Sequence, residues 1–298
     1  MPCFPDKIAS DMRVTPQWLD WLRADRLATL WLSYPFHYII SSRHRLSVPI
    51  LMYHSISKPA EKQRHPYFET ATHPSVFAEH IKFLKDSGYR SVTLDEAIQY
   101  VESGRQDSIP RVVITFDDGF RDFYTEAFPV LDRYQSTATV FLPTSYIEEE
   151  RRQFKNRECM RWSEVRELRK AGIDFGSHSL THQQLRDLKR SEIDTELRCS
   201  KERIENELGC PVESFSYPFA FPETNHVFKA MLKDSLMAHG YKSGVTTAIG
   251  TLGARDDLYF MPRLPVNSWD DLALFRAKLS GAYNWIRSVQ YVSKMCKS

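Results

Sequence analysis

From Val48 onward, short apolar runs alternate with stretches in which apolar positions return every three or four residues. Short continuous apolar runs fit strands buried on both faces, whereas the longer spacing marks one apolar face of a helix. Strands are expected at Val48–His54, Val112–Phe116, Thr137–Leu142, Ile173–Phe175, Ser214–Tyr217, Ser243–Val245 and Tyr259–Leu264. After the first strand, Phe77, Ile81 and Leu84 line one helical face. Further helices are expected at about Asp122–Tyr134, Ser163–Lys170, Glu192–Leu208 and Phe228–His239. The third of these opens on a Ser191-x-x-Asp194 capping pair and closes at Gly209. Strands that alternate with helices imply an α/β fold with a parallel sheet and crossover helices. Seven such units can close into a barrel.

Three stretches interrupt or flank this alternation. Ser55–Thr72 is a polar loop beside the first strand end, where the rim of a substrate site would lie. Trp269–Ser298 reads as one long helix bearing several aromatics. Leu27–Ile40 is rich in Leu, Trp, Tyr, Phe and Ile, but Pro35 and His37 break it and it is too short to span a bilayer. Arg43, His44 and Arg45 follow it, so it reads as a helix packed on the domain or as a segment lying on a membrane surface.

A chain of 298 residues with 42% hydrophobic content can bury a large core, which excludes a disordered or fibrous protein. A net charge of +2 and the lack of a basic stripe interleaved with aromatics argue against nucleic-acid binding. The five cysteines include no C-x-x-C pair, which fits neither a disulfide framework nor a thiolate zinc site. Together with an N-terminus that lacks a signal-peptide layout, this favours a cytoplasmic protein, peripheral to the inner membrane if Leu27–Ile40 makes surface contact.

The chemistry concentrates at two strand ends. Val112-Val113-Ile114 runs into Thr115-Phe116-Asp117-Asp118-Gly119, and adjacent carboxylates at the end of a buried strand need a cation, a proton or dense hydrogen bonding. Alone, the run is also compatible with a solvated acidic turn. Ile173-Asp174-Phe175-Gly176-Ser177 leads likewise into His178-Ser179-Leu180-Thr181-His182, where two histidines four apart on one helical turn can grip one cation. Imidazoles merely facing solvent are the alternative for that pair, but both motifs at the carboxyl ends of strands point to a shared metal site.

These motifs resemble those of the polysaccharide deacetylase family, the NodB-homology enzymes of carbohydrate esterase family 4, over roughly residues 48–267. The resemblance implies a distorted (β/α)7 barrel with an N-terminal helical extension at 1–47 and a helical tail at 268–298. It also implies a divalent metal, usually zinc with cobalt or nickel as alternatives, and hydrolysis of an acetyl group from an amino sugar of a saccharide or polysaccharide or, less often, from a sugar hydroxyl. By motif, Asp117 would be the general base and Asp118, His178 and His182 the metal ligands.

The third motif is altered, with Phe215-Ser216-Tyr217-Pro218-Phe219-Ala220 where many members carry an arginine before Pro-Tyr-Gly. The Phe219 amide can still serve the oxyanion, and Arg263, in Met261-Pro262-Arg263-Leu264, is the candidate to steady the base, with a structural surface arginine as the alternative. The late histidine is also missing, because Leu264 is followed by Pro265 and Val266. His54, in Leu51-Met52-Tyr53-His54, is the candidate acid, with a structural histidine as the alternative. The variant pattern looks closer to bacterial exopolysaccharide deacetylases than to fungal chitin deacetylases. A deformylase or amidase acting on a lipid-linked sugar or small amide keeps the same metal site, and an inactive carbohydrate-binding relic would account for the missing groups.

Overall fold

A computed structural model describes residues 23–36, 46–58, 69–105 and 107–295. Its centre is a ring of seven parallel strands: β1 (Ile50–Tyr53), β2 (Arg111–Phe116), β3 (Thr139–Leu142), β4 (Asp174–Ser177), β5 (Ser214–Ser216), β6 (Ser243–Ile249) and β7 (Met261–Pro265). Each strand pairs with its neighbour in sequence, and β7 returns to β1 to close the ring. The seven apolar runs expected from sequence are these seven strands. A short strand, Arg90–Ser91, adds to the outside of β2.

Around the ring lie helices α1 (Ala24–Ala28), α2 (Pro74–Asp86), α3 (Leu94–Ser103), α4 (Phe128–Arg133), α5 (Trp162–Lys170), α6 (Arg190–Leu208), α7 (His226–Ala238), α8 (Leu272–Leu279) and α9 (Ile286–Met295). Successive residues of a strand face opposite sides, so each barrel strand serves two cores. Leu51, Tyr53, Val112, Ile114, Phe116, Val140 and Leu142 pack outward with the helices. Ile50, Val113, Phe141, Val245 and Met261 form a separate cluster, which α3 joins through Leu94, Ala97, Ile98 and Val101. Two residues further along β2 and β7 on the same face, Thr115 and Arg263 replace the apolar residues. The interior therefore turns polar toward the carboxyl ends of the strands.

Local expectations were revised in three places. α6 starts earlier than the Ser191/Asp194 pair implies: Lys189 N–H donates to Glu192 Oε2 (2.7 Å), which closes the first turn. The tail is two helices, because Ser280-Gly281 ends α8 and Gly281 takes φ +86°. The histidine motif is not helical, as described below. Of the Ser55–Thr72 loop, residues 59–68 lie outside the described residues; its ends pair as parallel two-residue strands, Ser55–Ile56 with Ala71–Thr72.

The described part of the Leu27–Ile40 segment packs on the tail, with Trp285 Nε1 donating to Thr29 Oγ1 (3.0 Å) and Ser33 Oγ to Ala282 O (2.6 Å). Trp31, Leu32 and Phe36 stay exposed. Among the described residues no helix is long and apolar enough to cross a membrane.

Candidate active site

Asp117, Asp118, His178, Phe219 and His54 all lie just past the carboxyl ends of barrel strands. Asp117 continues the inward face of β2 that carries Val113 and Thr115, and its N–H donates to Tyr53 O (3.0 Å), extending the ladder by one residue. The next two residues turn away in left-handed backbone, Asp118 at φ +72° and Gly119 at φ +59°. This turn sends the two neighbouring carboxylates in different directions. It also explains the glycine: a Cβ at position 119 would meet Leu142 Cδ2 at 2.9 Å.

Asp117 is buried and doubly held. Arg263 donates from its two terminal nitrogens to Asp117 Oδ1 (2.8 Å) and Oδ2 (2.7 Å), a bidentate fork. Ser216 Oγ, inward-facing on β5, adds a bond to Oδ1 (3.1 Å). Arg263 is fully buried and is itself fixed by Thr246 O (2.9 Å), Thr115 Oγ1 (3.2 Å) and Ser216 Oγ (3.0 Å). Burial pushes the Asp117 carboxyl up, but the Arg263 charge and its hydrogen bonds outweigh this and hold it below the usual carboxylate range. Arg263 thus stands, from a different strand, where the altered third motif lacks its arginine. Ser216, quoted within that motif but given no role from sequence, is the further member of this network.

His178 and His182 converge by a loop rather than on one helical face. Ser179 (φ +65°) and His182 (φ +58°) both adopt left-handed backbone. Ser177 Oγ accepts from Ser179 N–H (3.2 Å) and Ser179 Oγ from His182 N–H (3.0 Å), bonds that a helix would replace with its own. Glu196 of α6 clamps the same loop through Thr181 N–H (2.8 Å) and Oγ1 (2.5 Å). His178 Nδ1 lies 2.8 Å from Ser216 O, so that nitrogen carries the proton and Nε2 is left free as a donor of electrons.

Asp118 Oδ1 lies 3.2 Å from His182 Nε2 and 3.6 Å from His178 Nε2. The three buried ligand atoms are within 4.8 Å of one another, and they are oxygen and imidazole donors of the kind that take a divalent cation. The two Asp118–imidazole separations are close to the edge of about 3.4 Å expected around a tetrahedral ion bonded at about 2.1 Å. A cation is already drawn to the site: Lys155 Nζ donates to Asp118 Oδ2 (2.9 Å) and Oδ1 (3.2 Å). The donor set therefore fits a divalent metal. Burial lowers the pKa of His178 to about 3 against the pull of Asp117, so its imidazole is neutral and able to ligate.

His54 Nε2 is 4.0 Å from Asp117 Oδ2, and burial holds its pKa below the ordinary 6.5. Phe219 follows Tyr217-Pro218 past β5 with φ +62° and is 47% exposed, its ring centroid 4.7 Å from that of His182. The Phe219 carbonyl accepts from Thr247 Oγ1 (3.3 Å), and among the described residues its N–H has no hydrogen-bond partner. Sequence reasoning missed Lys155 and Phe154, whose ring centroid lies 4.9 Å from that of His182. Both belong to a small hairpin, Gln153–Phe154 with Arg157–Glu158, in a charged stretch without a motif.

A family model for polysaccharide deacetylase matches residues 104–239. YxkH of Bacillus subtilis (strain 168), itself provisionally named a polysaccharide deacetylase, is 31% identical over 228 residues, covering 76% of this chain and 74% of its own. A poly-β-1,6-N-acetyl-D-glucosamine N-deacetylase of Staphylococcus epidermidis is 28% identical over 203 residues, 64% of this chain and 66% of the relative. Among solved structures, the Streptococcus pyogenes deacetylase PplD in complex with acetate superposes with a TM-score of 0.69 at 22% identity, over 79% of this chain and 99% of that one. The fold is thus that of the NodB-type (β/α)7 barrel. By its relationship to YxkH, with which the family model agrees, the chain belongs to the polysaccharide deacetylase family and is a hydrolase; its staphylococcal relatives are N-deacetylases, which cleave a carbon–nitrogen bond.

Proposed function

We propose that the chain is a metal-dependent hydrolase that removes N-acetyl groups from an amino sugar within a saccharide or polysaccharide. The observation that carries this reading is the division of two adjacent carboxylates. Asp117 is paired to Arg263, while Asp118 faces His178 and His182. A divalent cation held by Asp118, His178 and His182, zinc being the first candidate, supplies Lewis acidity that polarises an acyl oxygen and acidifies water.

The chain's own groups do the rest. Asp117 accepts the proton of the attacking water. Arg263 and Ser216 fix its carboxylate and keep it ionised until then. The Phe219 amide donates toward the oxygen on which negative charge develops. His54, whose Nε2 lies 4.0 Å from Asp117 Oδ2, passes the proton that Asp117 took from water on to the departing amine. The free, partly or fully buried thiols of Cys159, Cys199 and Cys210 support a reducing compartment. Trp31, Leu32 and Phe36 support peripheral membrane contact. The catalytic unit is residues 48–267, with the flanking helices packed against it.

A β-1,6-linked N-acetylglucosamine oligomer, the substrate class named for the staphylococcal relative, heads the panel of substrates. The test is product identification: acetate released from an N-acetylated saccharide, abolished by chelation and restored by zinc, is the expected result. Formate release from N-formylated sugars with no acetate release would instead assign the deformylase reading. Absence of both stoichiometric metal and turnover of any substrate would leave the binding relic, which has no reason to keep a cation in an Asp-His-His cage.

A further inference from the structure

Lys155 belongs to none of the motifs that define the site, yet it makes the closest approach to Asp118. It sits at the tip of the hairpin formed by Gln153–Phe154 and Arg157–Glu158, whose turn residues Lys155 and Asn156 take φ +50° and +60°. The base of the hairpin is pinned. Arg157 donates to Ser57 Oγ (2.7 Å), Arg121 to Glu158 (3.2 Å), and Phe154 packs on Tyr146 with centroids 4.3 Å apart. From this platform the ammonium reaches both Asp118 oxygens and comes within 3.5 Å of His182 Nε2.

An ammonium has no lone pair and cannot be a metal ligand. It uses the same carboxylate electrons that a cation needs, and two positive charges this close on one carboxylate repel. Lysine and cation are therefore alternative occupants of Asp118. The lysine can leave cheaply, because its side chain is 44% exposed whereas that of Asp118 is 3% exposed. The Phe154 and Phe219 rings, with centroids 4.7 and 5.9 Å from Nζ, offer it a nearby resting face.

We propose that Lys155 is a tethered cation that holds Asp118 in the metal-free protein, is displaced when a divalent metal binds, and so lowers the affinity of the site for metal. The proposal rests on the reading of Asp118, His178 and His182 as the metal site. Zinc titration of metal-free wild type, Lys155→Met and His178→Ala by calorimetry tests both. In parallel, amine acetylation followed by mass spectrometry reads the accessibility of Lys155 in wild type with and without zinc.

The expected result is one zinc per chain, bound on the order of tenfold more tightly by Lys155→Met than by wild type, the worth of a charge-assisted hydrogen bond. Acetylation of Lys155 should rise when wild type is saturated with zinc, an effect that mere removal of charge would not give. Equal zinc affinity in wild type and Lys155→Met, or Lys155 labelling indifferent to zinc, overturns the role of the lysine while leaving the metal site standing. No stoichiometric uptake by wild type or Lys155→Met, or uptake undiminished in His178→Ala, overturns the metal-site reading and the proposal with it.

Discussion

Arg263 is the residue on which the Asp117 carboxylate depends. A fully buried guanidinium costs several kcal/mol of desolvation unless its partner is equally well placed, and here a bidentate carboxylate and three further acceptors meet it. Removing it leaves the Asp117 charge buried and unpaired, so Arg263→Met is expected to destabilise the fold by about 3 to 5 kcal/mol in urea unfolding. Because the pair holds the Asp117 carboxyl below its ordinary 3.8, its contribution is complete above that pH and is lost as pH falls below it. The stability difference between wild type and Arg263→Met should accordingly shrink on acidification below pH 3.8. Arg263 was legible as a candidate only because the third motif lacks its arginine and an arginine falls at the end of the last strand. Its bidentate geometry was not, because that depends on which strands face each other across the barrel.

At the scale of elements, the site is built from strand ends and left-handed turns. The strands were readable because both faces are buried, which writes them as continuous apolar runs. The turns were not: His-x-x-x-His suits a helix by spacing, and only the serine side chains that satisfy the backbone of residues 177–182 make the loop the better solution. The tail misled for a related reason, since helical periodicity continues across Gly281 while the backbone does not. The Asp118-Gly119 turn carries its own prediction. Gly119→Ala forces a Cβ into positive φ and against Leu142, costing roughly 1 to 2 kcal/mol. It should also tilt Asp118, so that zinc affinity falls along with thermal stability, both measurable on one sample. A stable variant with undiminished zinc affinity would show that the turn does not aim the ligand.

For the molecule as a whole, the closed barrel brings together residues far apart in sequence: Asp117 and Arg263 are separated by 146 positions. The tail helix α9 braces the rim beside the third motif. Gln290 bridges Ile249 N–H (3.1 Å) and Thr247 O (2.9 Å), and Arg287 and Lys294 pair with the buried Glu223. The fold and the proposed metal ligands follow from motifs a sequence displays openly. The supporting shell of Arg263, Ser216 and Lys155 comes from three separate stretches that only closure of the barrel and folding of the hairpin unite.

The central claim is that the paired aspartates have unlike tasks, and acetate release by Asp117→Asn at saturating zinc tests it most directly. The account predicts a loss of at least about a hundredfold in turnover, with one zinc per chain still bound, since the amide keeps the shape of Asp117 but cannot take a proton. Near wild-type acetate release by the zinc-loaded variant would contradict it.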